Sequence, residues 1–116
     1  MTEPRWIPIT PRDTIPPREG RAVLVGGREL AIFNLGDRFL TVENRCPHRG
    51  GPLGDGIVAG LAVVCPLHAW KVSLETGAVE RPSGATACVR TYATRVEGEI
   101  VWVEVPASTT EAGQGA

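Results

Sequence analysis

Histidine and lysine are almost missing from this chain of 116 residues. There are two histidines, and Lys71 is the only lysine against eleven arginines. Charge of one sign is also missing: the formal net charge of −1 gives no basic field for nucleic acid. No apolar run approaches the roughly 18 residues of a membrane span, and residues 1–20 carry five prolines and mixed charges with no apolar signal segment. These two absences lead to the expectation of a cytoplasmic protein. No stretch shows a sustained helical apolar period. No histidine is spare for a Ser/His pair, and no glycine-rich phosphate loop runs from a strand into a helix. The lysine shortage is a compositional bias and carries no functional meaning.

What the chain does have is concentrated in two short segments. Both histidines, and two of the three cysteines, fall in Cys46-Pro47-His48 and Cys65-Pro66-Leu67-His68. Each segment offers one thiolate and one imidazole, and 16 residues separate His48 from Cys65, enough for a hairpin. Two thiolates and two imidazoles are the ligand set of a Rieske [2Fe–2S] centre, in which cysteines hold one iron and histidines the other. Zinc also accepts two cysteines and two histidines. Zinc fingers, however, group C-x-x-C and H-x-H halves, whereas each half here carries one of each. Gly50-Gly51-Pro52 and Pro66 permit tight turns whose N–H groups could face cluster sulfurs. Cys88 is left without a disulfide partner and reads as a small apolar residue at a core edge.

The length suits one domain, and glycine (14) and proline (10) mark it as loop-rich. The pattern is β throughout. Short β-branched and aromatic runs over 21–25, 29–33 and 38–42 lead into the first Cys/His segment. Runs over 57–58 and 62–64 form a short hairpin that delivers Cys65. Residues 70–74, 78–79, 89–92, 94–96 and 100–105 complete the set, with Gly36-Asp37, Glu75-Thr76-Gly77 and Glu97-Gly98-Glu99 as turns. The two Cys/His segments look like two copies of one hairpin tip. Trp6 and Trp102 read as core, and Trp70 as packing beneath the metal site. Arg45 and Arg49 could steer an acidic partner or pair with Asp55, but read as solvated.

On these residues the chain resembles the Rieske domain family from about Trp6 to Val105. The resemblance implies an all-β, Rieske-type β-sandwich with a small cluster-binding subdomain of two hairpin loops. It covers a single domain over 6–105, with the subdomain at about 44–84; by composition, residues 1–20 read as a Pro-rich segment with the first strand and 106–116 as a disordered tail. It assigns Cys46 and Cys65 to the inner iron and His48 and His68 to the outer one. Arg81-Pro82-Ser83-Gly84 sits where the family places a third loop over the cluster. Respiratory-complex members brace their loops with a disulfide, at positions that correspond to Gly51 and Leu67. They also donate hydroxyl hydrogen bonds from positions that correspond to Trp70 and Val72. Without brace or hydroxyls, a low potential for this class of centre is expected.

Asn44 to Leu53, Cys65 to Gly77 and Val89 to Tyr92 are similar to the small subunit of assimilatory NAD(P)H-dependent nitrite reductase, which converts nitrite to ammonium. The resemblance implies a large catalytic subunit carrying sirohaem and flavin as partner. The chain is then a redox subunit, not catalytic alone. Two other roles are open: a Rieske ferredoxin of an aromatic-ring dioxygenase or similar oxygenase system, and a non-redox assembly module with a structural metal.

Overall fold

The computed structural model describes residues 4–47, 50–67 and 69–106. Within them the chain forms eleven strands: β1 (Pro4–Pro11), β2 (Glu19–Val25), β3 (Arg28–Asn34), β4 (Phe39–Glu43), β5 (Ile57–Ala59), β6 (Ala62–Val64), β7 (Lys71–Ser73), β8 (Val79–Arg81), β9 (Thr91–Tyr92), β10 (Thr94–Glu97) and β11 (Ile100–Pro106). Every pairing among them is antiparallel, in three sheets ordered β1-β11-β10, β2-β3-β4-β9 and β5-β6-β7-β8. The all-β class expected from the sequence is what is observed. Among the described residues no helix is long and apolar enough to cross a membrane. Apart from Pro106, which ends β11, the tail expected to be disordered lies outside the described residues.

The sheets stack with the β2-β3-β4-β9 sheet in the middle, and β3 explains why. From Leu30 to Asn34 the strand is buried on both faces. Successive side chains of a strand point to opposite sides. Leu30 and Ile32 therefore meet Val101, Val103 and Val105 in one core cluster, while Ala31 and Phe33 meet Val63, Val72 and both site cysteines in another. An unbroken apolar run of this length reads as a strand covered on both sides. Burying a side chain the size of Phe33 completely contributes about 1.5–3 kcal/mol.

The turn chemistry follows the sequence. β2 and β3 join through Gly26 (φ 57°) and Gly27 (φ 83°), both left-handed as a two-residue hairpin of this kind requires. Asn34 pins the next turn: its Nδ2 donates to the Ile15 carbonyl at 2.7 Å and its Oδ1 accepts the Gly36 N–H at 2.8 Å. Prolines 4, 8 and 11 are tolerated because β1 is an edge strand, paired only with β11, and its register slips between Pro8 and Thr10.

Candidate metal centre

Two strand ends present the cysteines. Cys46 follows β4 by three residues and Cys65 directly follows β6. Both side chains are only 2% exposed and share one apolar cluster with Leu53, Val63, Val72 and Leu74. A pair of thiols at the buried base of two surface loops is a donor set enclosed by protein on one side.

The two loops are closed in the same way. In the first, the Cys46 N–H donates to the Gly51 carbonyl (2.8 Å) and the Gly50 N–H donates back to the Cys46 carbonyl (2.7 Å). In the second, the Cys65 N–H donates to the Trp70 carbonyl (2.8 Å) and the Ala69 N–H to the Cys65 carbonyl (3.0 Å). Each loop thus spans six residues, starts Cys-Pro, and turns back through a left-handed fifth residue: Gly50 at φ 76° and Ala69 at φ 61°. The expected repetition of one hairpin tip is a property of the backbone. In sequence, the histidine falls third in the first loop and fourth in the second. His48, His68 and Arg49 lie outside the described residues.

This closure corrects part of the expected hydrogen bonding. The first and fifth N–H groups of each loop are consumed in closing it, and Pro47, Pro66 and Pro52 have none to give. Gly50 therefore does not offer its N–H to a cluster sulfide. Fewer donors leave less stabilisation for added negative charge at the site.

The loops also press on each other. A Cβ on Gly51 would lie 2.8 Å from Leu67 Cδ1 and 3.0 Å from Cys65 Sγ, so glycine is what lets the first loop approach the second cysteine. A Cβ on Gly56, where the first loop rejoins the sheet, would lie 2.4 Å from the Val64 carbonyl oxygen, just before Cys65. Gly51 and Leu67, the positions that correspond to the disulfide brace of respiratory-complex Rieske proteins, do face each other. Here a half-exposed leucine side chain fills that space. Trp70 packs partly buried against the cluster that holds both cysteines, as expected, and Val72 is fully buried there. Neither presents a hydroxyl.

Other residues fall differently. Trp6 and Trp102 are not core. They lie with Glu104 on the outer face of the β1-β11-β10 sheet, where the Arg95 guanidinium stacks 4.2 Å over the Trp6 ring. Cys88 is exposed, bridges to Ala78 and, with Ala87 and Val89, lines an open cavity of about 510 Å³ that reaches Cys46 and Pro47. The peptide between Arg81 and Pro82 is cis. Arg45 makes no ion pair among the described residues and is exposed, as read. Sequence reasoning missed Asn44, a buried polar residue two positions before Cys46. Its pattern gives no warning, because an asparagine at a strand end usually marks only a turn.

Comparison with known proteins agrees with this geometry. Residues 5–93 match the model of the Rieske [2Fe-2S] domain. The ferredoxin component of the naphthalene 1,2-dioxygenase system of Pseudomonas aeruginosa is 31% identical over 106 residues, 90% of this chain and 99% of that protein. The ferredoxin of carbazole 1,9a-dioxygenase from Nocardioides aromaticivorans superposes with a TM-score of 0.77 at 27% identity, over 86% of this chain and 95% of its own. A Mycobacterium tuberculosis structure provisionally assigned as an NADH-dependent nitrite reductase small subunit gives 0.80 at 25% identity, over 89% and 96%.

Proposed function

Because the chain belongs to the Rieske [2Fe-2S] domain family and is an iron–sulfur electron-transfer protein, we propose that Cys46, His48, Cys65 and His68 hold its cluster and that its partner is the large subunit of a nitrite reductase. The observation that carries the ligand assignment is the twin closure of two loops, each starting on a buried cysteine. Among the described residues no group of three or more His, Cys, Asp or Glu is placed to hold a metal. The donors that would complete the set are, by sequence, the two histidines that share these segments. The bound cluster supplies a one-electron couple whose histidine-ligated iron raises its potential relative to an all-cysteine centre. The chain's own part is to bury the cysteine side, keep its loops rigid through their closing hydrogen bonds, and leave the loop tips, where Leu67 is 55% exposed, free to meet a partner.

Support for nitrite reductase as the destination comes from the Trp70-Lys71 and Val89-to-Tyr92 segments and from the fit to the Mycobacterium tuberculosis structure. A second reading, the ferredoxin of an aromatic-ring dioxygenase system, is favoured by the sequence relatives at 31% identity and by the carbazole dioxygenase ferredoxin. Separate reconstitutions distinguish them. The chain is added, with NAD(P)H, to a sirohaem- and flavin-containing nitrite reductase large subunit, and separately, with a reductase, to a Rieske dioxygenase. Nitrite consumption that depends on the added chain is the expected result. Turnover of only the dioxygenase moves the assignment to the second reading.

A further inference from the structure

Asn44 is 6% exposed, and both ends of its side-chain amide are occupied. Its Oδ1 accepts the Gly54 N–H at 2.6 Å, and its Nδ2 donates to Glu29 Oε2 at 2.9 Å. Its own N–H donates to the Glu29 carbonyl at 3.0 Å. The orientation of the amide is dictated by its partners, since an N–H can only donate and a carboxylate can only accept. Gly54 in turn is closely packed: a Cβ there would sit 3.1 Å from Asn44 Oδ1, which would have to give by a few tenths of an ångström, and 3.4 Å from the Ala22 nitrogen.

The topology gives this small network its importance. Residues 45–53 are the loop that carries Cys46, and no strand pairing joins Asn44 to Gly54. Among the described residues the base of the loop is bridged by one side chain, which also ties it to Glu29 at the start of the central strand β3. Two residues beyond Gly54, Gly56 packs on the Val64 carbonyl that precedes Cys65. A shift of Asn44 is therefore passed to both cysteine-bearing loops.

We infer that Asn44, through its bonds to Glu29 and Gly54, is a positioning residue that sets the spacing of the Cys46 and Cys65 thiolates for the cluster. The inference rests on the reading of these cysteines as ligands. Asn44→Asp keeps an acceptor for Gly54 but removes the donor and faces Glu29 with a second carboxylate. Glu29→Gln in the same chain supplies a donor from the other side, reversing the hydrogen bond and restoring the network.

The test compares the intact loaded protein with Asn44→Asp and with Asn44→Asp/Glu29→Gln. The readouts are the rate of cluster bleaching under an iron chelator and the line shape of the reduced-state EPR signal. Asn44→Asp bleaches about tenfold faster, the size expected when a buried group loses its partner, and its signal broadens. The double variant returns to within about twofold of the parent, because the lost bond is remade. A soluble, loaded double variant beside an insoluble single variant counts as the same rescue. Parent-like bleaching and line shape in Asn44→Asp overturn the inference, as does a double variant that is insoluble or no better than the single. A parent protein that never takes up iron overturns the ligand reading instead, before any variant is compared.

Discussion

Replacing Gly51 by alanine adds one methyl group at the closest approach of the two loops. Gly51 has no left-handed φ, so the substitution introduces no backbone strain and reports on contact alone. The new Cβ would meet Leu67 Cδ1 at 2.8 Å, Leu67 Cγ at 2.9 Å and Cys65 Sγ at 3.0 Å. Leu67 is half-exposed and can swing away, but Cys65 is buried and fixed by its loop. The remaining strain passes to the Gly51 carbonyl, which accepts the Cys46 N–H. Overpacking of this kind costs about 1–3 kcal/mol. In a domain of this size that lowers the melting temperature by roughly 4–12 °C. Thermal unfolding followed by circular dichroism measures the drop. Leu67→Ala alone changes stability by no more than about 0.5 kcal/mol, as an exposed side chain should. Leu67→Ala combined with Gly51→Ala recovers at least half of the loss. Gly51→Ala melting with the parent, or a double variant no better than the single, would refute the closeness of the loops.

The shared loop geometry predicts opposite outcomes at its two fifth positions. Gly50→Ala costs about 1 kcal/mol, because a side chain enters a left-handed conformation with, among the described residues, just the Arg45 side chain nearby. Ala69→Gly is neutral to slightly stabilising, relief of the same strain offsetting the freedom glycine gains when unfolded; denaturant titrations that move both variants the same way by equal amounts contradict the common turn. Gly77→Ala sets a Cβ 2.1 Å from the Val89 carbonyl oxygen at φ 82°, and a loss above about 3 kcal/mol, or no soluble protein, is expected; a parent-like melting curve contradicts this. With the first and fifth N–H groups of each loop used in closing it and no hydroxyl at Trp70 or Val72, the cluster should titrate near the bottom of the roughly −150 to +300 mV range of Rieske centres. A midpoint in the upper half of that range sinks the hydrogen-bond argument.

Most strands were legible because alternation and turn residues act locally. Gly36, Gly60, Gly77 and Gly98 all occupy left-handed turns near where the pattern broke. The class of cofactor was legible for another reason, since two of three cysteines and both histidines share two short segments. What failed depended on which sheet covers which face. Trp102 was read as core from its place on a strand-like segment, yet Val101, Val103 and Val105 are the buried set and Glu104 shares the face of Trp102. That alternation was present in the sequence, but which of its two faces another sheet covers is not a local property. Cys88 was read as a small apolar residue at a core edge and is exposed, while its neighbour Val89 is the buried residue of that segment. The network of Asn44, Glu29 and Gly54 joins residues far apart in the chain, and no local signal marks it.

The ligand assignment is tested most directly by reduced-state EPR on the parent, His48→Ala and His68→Ala proteins purified alike. The parent should show a Rieske-type signal with two irons and two sulfides per chain, and each variant should lose that signal while keeping the β-rich circular dichroism of the parent. A Rieske signal that survives in both variants, or a colourless parent holding one zinc per chain, would contradict the account.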